Sequence, residues 1–180
     1  MNYCSNCGAA VSKRIPEGDN RERAVCESCN TVHYRNPLMV VGCVPEYEGA
    51  ILLCKRSIEP RSGFWTLPAG FMELGESLAE AAARETREEA CAEVELGRLF
   101  ALVDVIHAGQ VHVFFEAVLP TPDFAAGEET LEARLFQPAE IPWNELAFPS
   151  VRIALERWLD DRRTGSTALH LASAPRLRMA

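Results

Sequence analysis

Three glutamates near the middle of the chain, Glu85, Glu88 and Glu89, have a spacing that suits a divalent cation. Positions i, i+3 and i+4 of an α-helix lie on one face, so the three carboxylates would lie together. Like charges at this spacing repel one another and lower helix stability unless a cation compensates them. Mg²⁺ and Mn²⁺ bind such oxygen ligands and leave coordination positions for water and phosphate. The alternative is a solvated acidic face.

The helix that carries these glutamates is predicted over residues 77–91. Ser77, with Glu80 three residues later, matches a capping box, and the alanine-rich interior has a high helix propensity. The apolar stripe that includes Ala81 and Ala82 continues into the glutamates rather than into the polar face. Carboxylates where the pattern predicts burial are typical of functional sites, which favours metal binding.

Two C-x-x-C pairs near the N-terminus predict a second metal site. Cys4 and Cys7 are separated from Cys26 and Cys29 by a spacing that is typical of tetrahedral zinc coordination. Four thiolates would close the coordination shell and leave no position for a substrate, so the zinc is expected to be structural. Redox chemistry and disulfides are the less favoured alternatives.

The cysteine-rich segment shows no sign of a nucleic-acid-binding surface. Within residues 1–34 the four Lys and Arg side chains are balanced by four Asp and Glu side chains, so no basic patch is expected. His33 follows the second C-x-x-C pair and is a minor candidate for a zinc ligand, because four cysteines already complete the site.

The remaining pattern predicts a main body of alternating strands and helices. Apolar, β-branched runs separated by Glu48 and Gly49 indicate a hairpin, and the last strong amphipathic pattern indicates a second long helix. The predicted elements are strands at 38–44, 51–54, 94–106, 111–119 and 133–136, a short strand or loop at 64–71, a loop at 120–130 and a helix at 149–162.

Composition and charge exclude several classes of protein. The 180 residues are 48% hydrophobic and 24% charged, a globular mixture with enough apolar residues for a packed core. The net charge of −8 disfavours nonspecific binding to nucleic acid or to anionic lipid. No apolar run approaches the roughly 20 residues of a membrane span, and neither a leader peptide nor a disulfide framework is indicated. A cytoplasmic location without membrane or nucleic-acid partners is therefore expected.

The acidic helix and the residues before it resemble the Nudix box. That motif runs Gly, five residues, Glu, seven residues, Arg-Glu, an apolar residue, any residue, Glu-Glu, any residue, Gly, apolar. Thr86, Cys91 and Ala92 depart from it and affect the helix end rather than the glutamates. The matching positions are Gly70, Glu76, Arg84, Glu85, Glu88 and Glu89.

The resemblance implies an α/β fold, the Nudix α/β/α sandwich, with a small N-terminal zinc ribbon. It also implies that Glu85, Glu88 and Glu89 hold catalytic Mg²⁺ or Mn²⁺, with the Gly70 carbonyl as a further ligand. Arg84 would orient Glu85 and pair with Glu76. The general base would be Glu89 or a loop glutamate, for which Glu128, Glu129 and Glu132 are the candidates.

A wider resemblance, from about Tyr3 to Arg163, is to Nudix enzymes with an N-terminal zinc ribbon that act on FAD and ADP-ribose. It divides the chain into a zinc ribbon at 1–36, a hydrolase domain at 37–163 and a loose tail at 164–180. The implied reaction is hydrolysis of a nucleoside diphosphate linked to another moiety, releasing AMP.

Two other functions stay open. The first is an NADH pyrophosphatase, although the Ser-Gln-Pro-Trp-Pro-Phe-Pro-x-Ser signature of that group is absent from residues 93–119. The second is a non-catalytic nucleotide-binding regulator, which would not need all three glutamates. The resemblance also implies a homodimer.

Several side chains outside the motif are candidates for binding the substrate. Arg56 and Arg61 have the fork of donors that suits phosphate, although solvated surface positions are equally compatible with the sequence. Aromatic rings would stack on a base or a flavin, although most such rings belong to a core. His107 and His112 are interpreted as packing or surface residues. The other candidates are Phe64, Trp65, Phe148 and Glu129.

Overall fold

A computed structural model describes residues 1–176, and the chain divides into two units, Met1–Asn36 and the part from Pro37 onward. In the first unit, three short strands form an antiparallel sheet in the order β1-β2-β3. The strands are β1 (Val11–Arg14), β2 (Arg23–Cys26) and β3 (Val32–His33).

The described part of the second unit contains one mixed eight-stranded sheet and two long helices. The strands are β4 (Leu38–Tyr47), β5 (Ala50–Arg56), β6 (Trp65–Thr66), β7 (Ala69–Phe71), β8 (Glu95–Val105), β9 (Gln110–Val118), β10 (Thr130–Phe136) and β11 (His170–Ser173), and the helices are α1 (Leu78–Ala90) and α2 (Pro149–Thr164). The main order is β10-β5-β4-β9-β8-β11, with β6 paired to β5 and β7 to β4. The β4/β9 and β8/β11 pairs are parallel.

The predicted hairpin is confirmed by the antiparallel pairing of β4 with β5. Its two-residue turn has positive φ at both positions, 48° at Glu48 and 83° at Gly49. Two residues in this conformation give the backbone twist that joins neighbouring antiparallel strands.

The two faces of the sheet are covered by different helices, which confirms the sandwich fold class. On one face, Ala81 and Ala82 of α1 pack in a cluster with Val41 and Val113 of the sheet. On the other face, α2 contributes Val151, Leu155 and Trp158 to a larger cluster with Phe100 and Phe114. A sheet that is apolar on both faces requires such a layer on each side.

The prediction of a loose tail at 164–180 is wrong for β11, which pairs in parallel with residues 101–104 of β8. A buried carboxylate holds this segment, because His170 Nε2 lies 2.8 Å from Asp161 Oδ1. Arg98 also pairs with Asp161 and donates a 2.7 Å hydrogen bond to the Ala168 carbonyl. The pairing with β8 and the Arg98 contacts join distant parts of the chain, so local composition does not reveal them. The rest of the tail prediction, at 177–180, lies outside the described residues.

Among residues 1–176, neither long helix combines the length and the apolar character that crossing a bilayer requires.

Candidate active site

Helix α1 begins and ends at residues that the sequence marks. Ser77 is the N-cap, and its hydroxyl accepts a hydrogen bond from the Glu80 backbone N–H while the Glu80 carboxylate accepts one from Ser77 N–H at 2.7 Å. At the other end, Cys91 adopts the left-handed conformation with φ of 48°. It occupies the motif position where the family usually has glycine, the residue for which that conformation carries no Cβ penalty.

Of the three glutamates predicted to bind metal, two point toward the protein and one points toward solvent. Glu85 and Glu89 continue the Ala81 stripe at steps of four residues and are 7% and 9% exposed. Glu88 is exposed, with 58% of its side chain accessible. The structure therefore places the three glutamates at the edge of the buried face, where the 3.6-residue period of the helix would carry them.

Arg84 connects the acidic side chains to one another. Its Nη1 donates to Glu85 Oε1 at 2.7 Å and to Glu88 Oε2 at 3.0 Å. Its Nε and Nη2 hold both oxygens of Glu76 at 3.0 and 2.9 Å, and Nη2 also donates to the Phe71 carbonyl. The Arg84 guanidinium lowers the pKa of the Glu76 carboxyl to about 2. Arg84 thus fixes the orientation of Glu85 while its own charge is divided among three carboxylates.

The buried glutamates are poorly compensated. Burial raises the pKa of Glu89 to about 7. The hydrogen bond of 3.1 Å that its Oε2 accepts from the Ala69 N–H lowers the pKa but does not offset the burial. Burial also raises the pKa of Glu85, although Arg84 lowers it in part. One arginine beside several carboxylates leaves negative charge in a partly desolvated place, an arrangement that a bound divalent cation relieves.

The donor set around these glutamates fits magnesium or manganese. All the donors are hard oxygens, and Gly70 lies against the Glu85 carboxylate so closely that a Cβ at this position would overlap it. Gly70, Glu85, Glu88 and Glu89 all line the same cavity. Glycine is therefore needed here for the close approach of backbone to carboxylate.

A cavity of about 920 Å³ opens beside the carboxylates. This volume lies within the range of pockets that hold nucleotide-sized ligands. Phe148 and Arg56 form part of the wall, with the guanidinium carbon of Arg56 5.1 Å from the ring centroid. Arg56 Nε also donates to the Pro60 carbonyl at 3.0 Å, so two contacts orient this side chain.

The loop between β9 and β10 carries Glu128 and Glu129 to the cavity. The Gly127 N–H donates a hydrogen bond of 3.0 Å to the Glu89 carbonyl in the last turn of α1. A Cβ on Gly127 would overlap the Glu88 carbonyl, so the loop can rest on the helix only with glycine at this position. Of the three candidate loop bases, Glu132 alone lies outside the cavity lining among the described residues.

Three of the sequence-based candidates for binding substrate lie away from the cavity. Trp65 is 5% exposed and packs edge-on against Phe136, with ring centroids 4.8 Å apart, so it has no free face for stacking. Phe64 has the Arg61 guanidinium 4.6 Å above its ring. None of these three residues, Trp65, Phe64 and Arg61, is in the cavity lining. The sequence of an aromatic-rich strand does not show whether its rings pack in the core or line a pocket.

The wall that β9 and its neighbouring segments contribute to the cavity, here called the β9 wall, contains residues that the sequence analysis missed or interpreted as packing. His107 and His112 both line it, together with Gln110 from the start of β9 and Ala174 from the segment after β11. Gln110 and His112 are two residues apart on one strand, so their side chains lie on the same face. The sequence shows that these two side chains share a face of the strand, but it does not show that this face lines the cavity.

In the first unit, the four cysteines form the predicted cluster. Their sulfurs lie within 4.8 Å of one another, with Cys4 to Cys29 at 3.7 Å and Cys7 to Cys26 at 3.5 Å. A tetrahedral zinc site with Zn–S bonds of about 2.3 Å separates its sulfurs by about 3.8 Å, so the cluster fits one zinc ion. His33 Nε2 lies 3.3 Å from Cys4 Sγ, at hydrogen-bond distance from the sulfur.

A mixed sheet between two helices, with an acidic helix at the edge of a nucleotide-sized cavity, defines an α/β protein with a candidate active site. The separate four-cysteine unit adds a candidate zinc site. A family model described as NUDIX domain matches residues 36–159, and one described as Nudix N-terminal, a zinc ribbon, matches residues 2–35. The chain belongs to the Nudix hydrolase family and carries the N-terminal zinc ribbon found in part of it.

Individual relatives agree with this assignment. A NUDIX hydrolase structure from Nitrosomonas europaea is 49% identical, with a TM-score of 0.94 over 98% of this chain and 100% of that one. The ADP-ribose pyrophosphatase of Methanocaldococcus jannaschii is 31% identical over 131 residues, which are 69% of this chain and 76% of that protein. The NAD-capped RNA hydrolase NudC of Vibrio atlanticus is 27% identical over 174 residues, which are 93% of this chain. The chain spans only 61% of that NudC protein and 62% of its Vibrio vulnificus counterpart.

Proposed function

We propose that the protein hydrolyses the diphosphate bond of a nucleoside diphosphate linked to another moiety, with ADP-ribose or FAD as substrate and AMP as one product. The observation that carries this proposal is the pair of buried glutamates, Glu85 and Glu89, at the wall of a cavity large enough for a nucleotide. Buried carboxylates of raised pKa in a cleft are typical of catalytic sites. The similarity to the Methanocaldococcus jannaschii ADP-ribose pyrophosphatase supports the choice of substrate.

Mg²⁺ or Mn²⁺ would be held by Glu85, Glu88 and Glu89, with the Gly70 carbonyl as a further oxygen. When bound, the cation neutralises charge on the diphosphate and supplies Lewis acidity. Arg84 orients the carboxylates through the hydrogen bonds described above. Without the cation, the acidic wall would repel a diphosphate, so the reaction is expected to need it.

Glu89 is the proposed general base. Its Oε2 is held by the Ala69 N–H at 3.1 Å, which leaves Oε1 to accept a proton from the attacking water. Burial raises the pKa of this carboxyl to about 7 when no cation is bound, and a cation beside it would lower that pKa and keep the carboxylate ionised, the form that accepts a proton. Glu129 lines the same cavity and is the alternative base, while Arg56 is placed to contact a phosphate oxygen.

A second candidate function is hydrolysis of NADH, because several relatives bear the name NAD-capped RNA hydrolase. The absence of the nine-residue signature from residues 93–119 argues against it. The relatives also make NAD-capped RNA a compound to test, although the net charge of −8 disfavours an RNA partner.

The proposal is tested by turnover of ADP-ribose, FAD, NADH and an NAD-capped RNA oligonucleotide, each with Mg²⁺, with Mn²⁺ and with neither. We expect cleavage of ADP-ribose or FAD that depends on the cation. Glu85→Gln should abolish turnover and leave the circular dichroism spectrum unchanged, whereas Glu95→Gln, an exposed glutamate of β8 outside the cavity lining, should behave as wild type. Binding without cleavage of any compound would identify a regulator instead. Sedimentation of the same samples tests the expected homodimer.

A further inference from the structure

The cavity lining has two chemically different parts. Where α1 and the loop after β9 form it, carboxylates dominate. Where β4, β8, β9 and the segment after β11 form it, the described residues include no carboxylate, and Val40, Val105 and Ala174 are apolar. Phosphates bridged by cations belong beside the carboxylates, so the part without carboxylates is left for a neutral part of the substrate.

The part of the lining without carboxylates contains a hydrogen-bonded pair of polar side chains, Gln110 and His112. His112 is 8% exposed, and its Nε2 lies 3.0 Å from Gln110 Oε1. In β-sheet register, His112 lies between Val40 of β4 and Val103 of β8, so apolar side chains flank it on both sides. The pair therefore sits among apolar side chains, and His107 and Ser150 are the other polar side chains in the described lining away from the acidic residues and arginines.

His112 is neutral at the pH where the enzyme is expected to work. Burial lowers the pKa of its imidazole to about 4. A neutral ring that donates from Nε2 to Gln110 has an acceptor at Nδ1. No other protein group among the described residues bonds to that nitrogen or to the Gln110 amide N–H groups. The pair thus offers an acceptor, His112 Nδ1, beside a donor, the Gln110 amide N–H, and neither group is charged.

We propose that Gln110 and His112 form a binding site for the adenine of the substrate, an inference that rests on the proposed function. Adenine presents an amino donor beside a ring-nitrogen acceptor, which is the complement of the acceptor and donor on this wall. Its flat apolar faces suit the neighbouring valines. The diphosphate of the same molecule then extends toward the carboxylates that line the same cavity.

Hypoxanthine distinguishes this recognition from simple burial of a ring. It has the same size as adenine but carries a carbonyl acceptor in place of the amino donor, so the hydrogen-bonding pattern of its edge is reversed. The measurement is kcat/KM for ADP-ribose and for its inosine counterpart. We expect the wild-type protein to favour the adenine compound by about tenfold or more, as for a lost hydrogen-bonded pair.

Gln110→Leu should reduce that preference to about one by raising KM for ADP-ribose, with little change in kcat. Gln137→Leu is the matched control, because Gln137 is the only other glutamine of the chain and lies outside the cavity lining. It should keep the wild-type preference. An equal rate for both compounds in the wild type, or an unchanged preference in Gln110→Leu, would overturn the adenine assignment while leaving the proposed hydrolysis intact.

A binding measurement separates this inference from the proposed reaction. If the wild-type protein cleaves neither compound, the proposed function fails, and calorimetric titration with adenosine and inosine still examines the site, since neither nucleoside contains a phosphate. Tighter binding of adenosine than inosine in the wild type, lost in Gln110→Leu, supports the adenine site. Equal affinities of the two nucleosides, or no binding of either, reject it.

Discussion

The Glu85 carboxylate lies directly against the α carbon of Gly70 and fills the space that a Cβ on Gly70 would need. Gly70 is in strand β7, and Glu85 is in the middle of α1, so this contact joins the two elements that form the acidic wall. Backbone and carboxylate can approach this closely only because the residue is glycine.

Gly70→Ala is therefore expected to reduce kcat/KM by about a hundredfold, because the added methyl group displaces the Glu85 carboxylate. Overpacking at this contact should also lower the free energy of unfolding by about 1 to 3 kcal/mol. Steady-state kinetics and urea unfolding measure the two effects. Gly97→Ala is the control, since a Cβ there would lie 3.3 Å from Glu116 Cβ, a contact that a small shift relieves, and should cost less than the overlap at Gly70. Equal activity of the two variants would contradict the role of the contact.

The site could be predicted from the sequence where its geometry is local. The spacing of the three glutamates, the capping box at Ser77 and the alanine stripe all lie within one helix, so the period of that helix determines their arrangement. Arg56, Glu128 and Glu129 also line the cavity, whereas Glu132 does not, and their predicted roles remain predictions.

The β9 wall of the cavity could not be predicted, because the register of the sheet forms it. Gln110 lies opposite Leu38 on one side and Val105 on the other, and no local pattern encodes these pairings. Strand β11 was missed for the same reason, since it pairs with residues 101–104 of β8, far earlier in the chain. Trp65 was placed with the substrate because its position in the core depends on packing against Phe136.

Cys91→Gly is expected to raise the free energy of unfolding by about 1 kcal/mol. Cys91 has φ of 48°, where a Cβ is unfavourable, and its side chain is exposed, so little packing is lost on removing it. Cys91→Ala keeps the Cβ and should not stabilise the protein. Chemical denaturation of both variants tests this, and equal stabilities would show that the left-handed conformation imposes no measurable cost.

The zinc ribbon should bind one zinc ion, and Cys26→Ser should lose it. Cys26 is buried, so the metal-free cluster would leave the short strands β1 to β3 without their main constraint. Elemental analysis is expected to find no stoichiometric zinc in the variant, and hydrogen exchange should show lost protection of residues 23–33. Cys91→Ala, which changes a cysteine outside the cluster, should retain both zinc and protection. Retained zinc in Cys26→Ser would exclude this cysteine as a ligand.

His112 should make the stability of the protein depend on pH. Its pKa in the folded protein, about 4, is below the ordinary value of 6.5, so folding favours the neutral ring. The stability from this preference is fully present above pH 6.5 and is lost as the pH falls toward 4, by about 3 kcal/mol in total. Urea unfolding of wild type and His112→Gln across this window isolates the histidine from the other titrating groups. The wild-type protein should lose more stability than the variant, whereas parallel curves would mean that His112 is protonated as easily in the folded as in the unfolded protein.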